Sequence, residues 1–308
     1  MLDLGLVVIG IGGLAYGGDL LVVNASKLAR AFGLSPLVIG LTVVAFGTSA
    51  PELAASLVAA LSDAPAIALG NVLGSNVANV GLILGGSALM WPLATSWSFV
   101  RREVMVMIGA SLLAALLLFD GTLGRFDAVL LLAGLVVFLL ITFRGDGGMV
   151  VARGAAAAAS APRWRPALLA LAAVGLLALA AQALVAGAVG LAQAWGVSER
   201  AIGLTMVALG TSLPELASSI AAALRRQGDM ILGNIVGSNV FNLLLVLAAA
   251  ALVQPLQAEV AALRFDLLAM LAAALVVAPV AVSGWRVGRR EGAVLLVAYG
   301  AYVLFVLA

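Results

Sequence analysis

One polar motif is written twice in this chain, each time inside an apolar stretch long enough to cross a membrane. Residues 39–79 contain IGLTVVAFGTSAPELAASLVAAL and then LGNVLGSNVAN. Residues 202–242 contain IGLTMVALGTSLPELASSIAAAL and then LGNIVGSNVFN, so Glu52 recurs as Glu215 without a gap in the alignment. An ionisable side chain at membrane depth is costly and is by default a functional hypothesis. Two carboxylates related by duplication therefore predict one shared cation site.

The composition predicts an integral membrane protein built of helices. Hydrophobic residues make up 64% of the 308, charged residues 10%, and the mean hydropathy is +1.22. A soluble domain could not bury that much apolar surface, and apolar runs of about 20 residues are typical of transmembrane helices. The chain has no cysteine and no histidine, which excludes disulfides, thiol chemistry and imidazole proton relays.

Hydropathy predicts ten transmembrane helices in an all-α fold. The stretch 144–165 contains Gly-Asp-Gly-Gly and an alanine run, and we interpret it as a linker between two five-helix halves, 1–143 and 166–308. The predicted spans lie near 4–23, 35–61, 66–90, 104–119, 126–143, 166–194, 199–224, 229–252, 265–283 and 291–307.

The distribution of basic residues predicts the orientation. With both termini outside, the inner connections hold 13 of the 16 basic residues, and the outer side holds only Arg125, Arg200 and Arg264. We expect a multi-pass protein of the cytoplasmic membrane with the 144–165 linker inside. No basic residue precedes the first apolar run, so we expect that helix to be retained rather than cleaved as a signal peptide. The inner residues are Lys27, Arg30, Arg101, Arg102, Arg144, Arg153, Arg163, Arg165, Arg225, Arg226, Arg286, Arg289 and Arg290.

The spacing of the two copies predicts inverted repeats. Equivalent positions are five spans apart, and five is an odd number, so the two halves must cross the membrane in opposite directions. Inverted repeats around a site at the bilayer midplane are a recurring design in transporters, where one bundle rocks against the other.

The motif supplies oxygen atoms suited to a hard cation. Pro51 and Pro214 lack an N–H and crowd the carbonyl four residues back, which predicts loosened backbone carbonyls beside the glutamates. Calcium takes about six to eight oxygen ligands. The candidate side chains are Glu52, Glu215, Thr48, Ser49, Thr211, Ser212, Ser75, Asn79, Ser238 and Asn242.

Several polar positions have two readings. Asn71, Asn76, Asn234 and Asn239 could be ligands or could form hydrogen bonds between helices. Asp19, in the first span, could line the ion pathway or hydrogen-bond to a neighbouring helix; its counterpart is Gln182, and the second reading is slightly favoured. The glycine pairs Gly70/Gly74 and Gly233/Gly237 indicate close helix packing rather than ligands.

The sequences GTSAPE and GTSLPE, each followed by GNxxGSNxxN, resemble the two alpha-repeats of the cation/calcium antiporter superfamily, and most closely its prokaryotic sodium/calcium exchanger branch. The resemblance covers the whole chain and implies a central Ca²⁺ site flanked by Na⁺ sites. It assigns Glu52 and Glu215 to Ca²⁺, with carbonyls from Thr48 and Thr211. It assigns Na⁺ to Ser49, Ser75, Ser212, Ser238 and the carbonyls of Ala45 and Ala208, with Asn79 and Asn242 completing the cluster.

The resemblance also bears on coupling. Some members carry aspartate where this chain has Asn242, so here the site charge is about −2, which one Ca²⁺ or two Na⁺ would balance; we predict that K⁺ is neither needed nor carried. The expected function is Na⁺/Ca²⁺ antiport that extrudes Ca²⁺, by a monomer without cofactors. A proton/Ca²⁺ antiporter on the same fold is the alternative, since a desolvated glutamate can carry a proton. A cation channel is less favoured because one chain supplies the whole cluster. An enzyme is not expected because no nucleophile has an evident base.

Overall fold

In a computed structural model of the chain, residues 2–144, 163–194, 210–257 and 260–307 are described, and they are almost entirely helical. The helices of the first half are α1 (Leu2–Phe32), α2 (Pro36–Thr48), α3 (Ala50–Leu61), α4 (Pro65–Met90), α5 (97–117) and α6 (Arg125–Arg144). Those of the second are α7 (Trp164–Ala194), α8 (Leu213–Leu224), α9 (Gly228–Val253), α10 (Val260–Val282) and α11 (Arg289–Leu307). The strands are β1 (Leu93–Ala94), β2 (Thr122–Leu123), β3 (Leu256–Gln257) and β4 (Arg286–Val287).

The helices fall where hydropathy predicts spans. Within the described ranges, six are long and apolar enough to cross a membrane, or seven if the bent pair α2–α3 is one span. The linker residues 145–162 and the part of the seventh predicted span from 199 to 209 lie outside those ranges. Two boundaries differ clearly. Helix α5 begins at Trp97, before the predicted start at 104. Helix α1 runs on to Phe32, so Lys27 and Arg30 lie on the helix and not in a loop, because residues 24–32 contain no glycine or proline and the first turn residue is Gly33, where φ is +67°.

Helices α4 and α9, which carry the GNxxGSNxxN segments, form the centre of the protein. Their most apolar windows are 78% and 83% buried, against 22% to 33% for α1, α6, α7 and the Arg264–Trp285 segment. The outer helices expose Leu, Val and Phe side chains, as lipid-facing helices do. The motif therefore lies at the place most shielded from lipid.

Glycines let α2 cross α9 with backbone contact. A Cβ atom on Gly40 would lie 2.5 Å from the Met230 carbonyl oxygen, and one on Gly237 would lie 2.5 Å from the Leu41 carbonyl oxygen. Gly233 also faces α2. This confirms the packing reading for the second glycine pair. The equivalent neighbours of Gly70 and Gly74, residues 200–208, lie outside the described ranges.

Two short ladders join the halves. Strand β1 pairs antiparallel with β4, with Leu93 opposite Val287, and β2 pairs with β3, with Leu123 opposite Leu256. The repeat relation that carries Glu52 onto Glu215 also carries β1 onto β3 and, with a shift of one residue, β2 onto β4. It therefore exchanges the two ladders, and each half pairs its loops with the other half. Strands of two residues leave no hydropathy signal, so sequence reasoning missed them.

Candidate cation site

The TSxPE segments break their helices at membrane depth. Helix α2 ends at Thr48, Ser49 leaves helical geometry at ψ +2°, and α3 starts at Ala50 with a bend of 41°. In the second half Ser212 has ψ +1° and α8 begins at Leu213. Proline near a helix start is well tolerated because its missing N–H would be unpaired there. Each break thus creates a helix N-terminus inside the protein.

Glu52 and Glu215 lie in the first turns of α3 and α8, where the helix dipole favours a negative charge. Each side chain is only 1% exposed, and all four carboxylate oxygens lack a hydrogen-bond partner among the described residues. The two carboxylates are close enough for Coulombic repulsion. Buried charges are normally paired or bound to a metal ion, so this arrangement is suited to a cation.

The hydroxyl groups around each carboxylate come from the opposite half. The Ser212 hydroxyl neighbours Glu52, and the Thr48 and Ser49 hydroxyls neighbour Glu215. None of them has the geometry of a hydrogen bond to these carboxylates. Neutral oxygens are needed here, because no group of three or more Asp, Glu, His or Cys side chains occurs in the part of the chain that is described.

Asn79 and Asn242 are oriented by amides of the other half. Asn79 donates to the side-chain oxygen of Asn239 at 3.4 Å, and Asn242 donates to that of Asn76 at 3.1 Å. The amide oxygens of Asn79 and Asn242, by contrast, have no partner in the described structure. Each begins a π-helical turn, Asn79–Leu84 and Asn242–Val246, a geometry frequent at functional sites. The two oxygens are free to bind a cation.

A second layer of hydrogen bonds connects the broken helices to α4 and α9. Asn71 donates to Ser56 at 2.9 Å and accepts the Thr211 hydroxyl at 3.1 Å. In the equivalent network, Asn234 donates to Ser219 at 3.3 Å and accepts the Thr48 hydroxyl at 3.4 Å.

These bonds show that the four asparagines, Asn71, Asn76, Asn234 and Asn239, link helices. The hydrogen bonds agree with the second of the two interpretations that the sequence left open, in which these asparagines connect helices. Sequence reasoning did not single out Ser56 or Ser219, although both stand at equivalent positions of the two copies.

Eleven of the twelve residues predicted for the site lie in the described ranges, and Ala208 does not. Most of the eleven are buried around the two carboxylates, and the hydroxyl oxygens of Ser49 and Ser238 have no partner there. Ser212 donates to Ser75 at 3.3 Å. The Ala45 carbonyl accepts from the Ser49 N–H at 2.9 Å and from the Thr48 hydroxyl at 3.4 Å.

Asp19 is not part of this cluster. Its carboxylate forms an ion pair of 2.6 Å with Arg225, which follows the end of α8. Of the two interpretations of Asp19, the favoured one, a bond to a neighbouring helix, is correct, although the partner is a charged residue. Arg225 is 206 positions away in the chain, and no local pattern connects the two residues.

The sequence profile of the family described as sodium/calcium exchanger protein matches residues 2–144 and 165–308. The chain belongs to this family. The putative antiporter CaxA of Alkalimonas amylolytica is 38% identical over 305 residues, covering 96% of each chain. The sodium/calcium exchanger MaX1 of Methanosarcina acetivorans is 31% identical over 338 residues, covering 97% of each. A solved structure of the sodium-calcium exchanger NCX_Mj, soaked with Na⁺ and Sr²⁺, superimposes with a TM-score of 0.87 at 32% identity over 98% of both chains.

Membership confirms the resemblance to the prokaryotic exchanger branch and makes this chain an all-helical membrane antiporter of cations and Ca²⁺, in a family of transporters and not of enzymes. The two matched segments fall on either side of the 145–162 gap. Both contribute to the buried cluster.

Proposed function

We propose that this exchanger moves Na⁺ against Ca²⁺ across the cytoplasmic membrane and normally extrudes Ca²⁺. The observation that carries the proposal is the pair Glu52 and Glu215. Both are buried, neither has a basic partner among the described residues, and unpartnered hydroxyl and amide oxygens come from both halves. All twelve predicted ligands, including Ala208, remain in the proposed site. Ca²⁺ and Na⁺ would compete for the same two carboxylates, so that neither ion can be carried while the other is bound.

The proposed architecture is ten spans in two inverted halves, 1–143 and 166–308, joined by 144–165 on the cytoplasmic side with both termini outside. The exchange of the two strand ladders by the repeat relation supports it. So does the match between helix positions and predicted spans. One chain supplies both carboxylates, so we propose that the monomer is sufficient.

The packing of α1 and α7 is unequal and supports alternating access. Helix α1 lies against α8, where a Cβ atom on Gly18 would come within 2.7 Å of the Ala217 carbonyl oxygen. The repeat-equivalent pair, α7 and α3, does not pack along its length. Accordingly Ala221 on α8 is 6% exposed while its counterpart Val58 on α3 is 63% exposed. The protein is therefore closed on the side where α1 packs on α8 and open on the side of α7 and α3. If the two helix pairs interchanged their arrangements, access to the site would move to the opposite side.

The first test is Ca²⁺ uptake into proteoliposomes loaded with Na⁺ and diluted into Na⁺-free medium. We expect rapid uptake that disappears when Na⁺ is equal on both sides. A pH gradient alone should drive little uptake, and omitting K⁺ should change nothing. Uptake driven only by the pH gradient would retain the fold and the glutamate pair but replace Na⁺ coupling by the proton-coupled alternative. Strict dependence on K⁺ would contradict the inference from Asn242.

The ion pair between Asp19 and Arg225 should favour the arrangement in which α1 packs on α8 over the opposite arrangement. Its counterparts are Gln182 and Ser62, so only one side has this bond. The side chains are 49% and 41% exposed, and such pairs contribute roughly 1 kcal/mol or less. Asp19→Asn should therefore shift the equilibrium by about fivefold at most.

The absence of native cysteine makes this shift measurable by thiol labelling. In an Ala221→Cys background, Asp19→Asn should raise the rate of maleimide labelling. In a Val58→Cys background it should lower the rate. Asp120→Asn, a change of an exposed acid elsewhere, is the control and should alter neither. If Asp19→Asn changes the labelling rate at neither cysteine, the proposed bias is disproved.

A further inference from the structure

A basic cavity of about 580 Å³ lies between the end of α10 and the start of α11. Arg286, Arg289 and Arg290 line it, together with Ser283 and Glu291. Glu291 is already used, because its carboxylate accepts the Gly288 N–H at 3.0 Å. Of the described residues, only Asp19 and Arg225 form an ion pair, so none of the three arginines has an acidic partner within those ranges.

The backbone that carries the arginines is held in place. Arg286 belongs to the β1–β4 ladder, opposite Ala94. Two further bonds connect this loop to the segment around β1. The Thr95 N–H donates to the Trp285 carbonyl at 3.0 Å, and the Arg289 Nε donates to the Leu89 carbonyl at 3.1 Å. The guanidinium groups therefore have fixed starting points around the cavity, which lowers the entropic cost of binding an anion.

The repeat provides an internal comparison for this loop. Matching the capped glycines Gly124 and Gly288 gives a repeat offset of 164 in this loop, so the counterparts of Arg286, Arg289 and Arg290 are Thr122, Arg125 and Phe126. The loop around them has the same kind of cap, because Asp127 accepts the Gly124 N–H at 2.8 Å, and the same kind of ladder. Arg125 donates from Nε to the Leu252 carbonyl at 3.2 Å, as Arg289 does to the Leu89 carbonyl, so the loop uses one arginine in both copies. It does not require Arg286 or Arg290, and their presence in one copy needs another reason.

The cavity lies at the depth expected for lipid headgroups. It adjoins the ends of two apolar helices, and Trp97 and Trp285 pack edge to face beside it, with ring centroids 6.3 Å apart. Both rings are about half exposed, at 58% and 46%. Tryptophan is enriched at the membrane–water interface, and basic cavities between transmembrane helices on the cytoplasmic side are suited to anionic headgroups.

We propose that this cavity binds the phosphate group of an anionic phospholipid. Arginine presents planar, paired donors that match phosphate oxygens, and the N-terminus of the 19-residue helix α11 adds backbone N–H groups and a favourable dipole. The proposed orientation of the chain decides only that the bound lipid belongs to the cytoplasmic leaflet. The lipid site does not depend on which ions the protein transports.

The test uses the full chain in neutral detergent, with thermal unfolding and native mass spectrometry as readouts. Phosphatidylglycerol should raise the unfolding midpoint and remain bound, whereas phosphatidylcholine should do neither. Arg286→Gln with Arg290→Gln should weaken the apparent affinity for phosphatidylglycerol by about tenfold or more. Arg101→Gln with Arg102→Gln removes the same charge from the same predicted side and should leave binding unchanged.

Three results would overturn the proposal: equal effects of the two lipids, equal loss in the control variant, or protection by inorganic phosphate alone to the same extent, which would indicate a soluble anion as ligand. If the double variant shows no cooperative unfolding, Arg290→Gln alone carries the test. Because lipid binding is read without transport, failure here leaves the ion-exchange proposal untouched, and the reverse also holds.

Discussion

Glu52→Gln and Glu215→Gln should each abolish Na⁺-driven Ca²⁺ uptake. Glutamine retains the size of the side chain but removes one of the two buried charges of the proposed cation site. Removing one partner of a buried charge cluster typically costs about 3–5 kcal/mol, which corresponds to about two to four orders of magnitude in affinity. The fold should survive, since a neutral amide is easier to bury than a carboxylate without a hydrogen-bond partner.

The measurement is Ca²⁺ uptake into proteoliposomes at matched protein content, with Ca²⁺ binding to the purified variants as a second readout. Glu103→Gln is a suitable control because Glu103 is a partly buried acid in α5 that is not among the site residues. It should retain uptake near that of the unaltered protein. Robust exchange by either Glu52→Gln or Glu215→Gln would falsify the assignment of the site.

Gly237→Leu should prevent correct assembly of the two halves. The new Cβ atom would lie 2.5 Å from the Leu41 carbonyl oxygen and 2.7 Å from the Ala45 Cβ. The nearest atom belongs to backbone, so a rotamer change cannot relieve the clash. Overpacking of this kind costs about 1–3 kcal/mol or more, and the crossing of α2 with α9 would be forced apart. We expect a lower unfolding midpoint, aggregation on size exclusion, and loss of transport.

Gly109→Leu is the matched control for this prediction. Gly109 is also a helical glycine, but it is exposed and has no described atom within 4 Å of an added Cβ. Leucine there should leave the chromatographic profile and transport unchanged. A monodisperse, active Gly237→Leu variant would show that the close crossing is not required.

Much of the site could be predicted from the sequence because its chemistry is local. The positions of Glu52 and Glu215, the neighbouring hydroxyls and the proline-induced breaks are all encoded within a few residues of one another. Intramembrane carboxylates are rare, and a duplicated pair stands out from any apolar background.

The rest depends on residues that meet only in three dimensions. The sequence does not show that Asn76 would hold Asn242, or that Asp19 would find Arg225, because these partners are far apart in the chain. Nor does periodicity reveal which helices pack closely at one side and not at the other. In the proposed alternating-access cycle, that inequality between α1–α8 and α7–α3 belongs to one of two states, and a single sequence encodes both.

The copies also diverge in a way the motif conceals. Ser218 donates to the Glu215 carbonyl at 3.0 Å, while the equivalent position is Ala55. In the first half the Glu52 carbonyl instead accepts from Asn71 at 3.2 Å. The backbone behind the two carboxylates is therefore supported by different donors, although the carboxylates themselves are equivalent.

The reciprocal amide bonds have an evolutionary consequence. Asn79 is oriented by Asn239 and Asn242 by Asn76, so neither half fixes the geometry of its own proposed ligands. Under the proposed inverted architecture, an ancestor made of a single half would have had an ordered site only after pairing with a second copy in the opposite orientation. Once the two copies were fused in one chain, a change to an amide in either half altered a ligand in the other. Chimeras that join halves from distant relatives should therefore work only where these amides match.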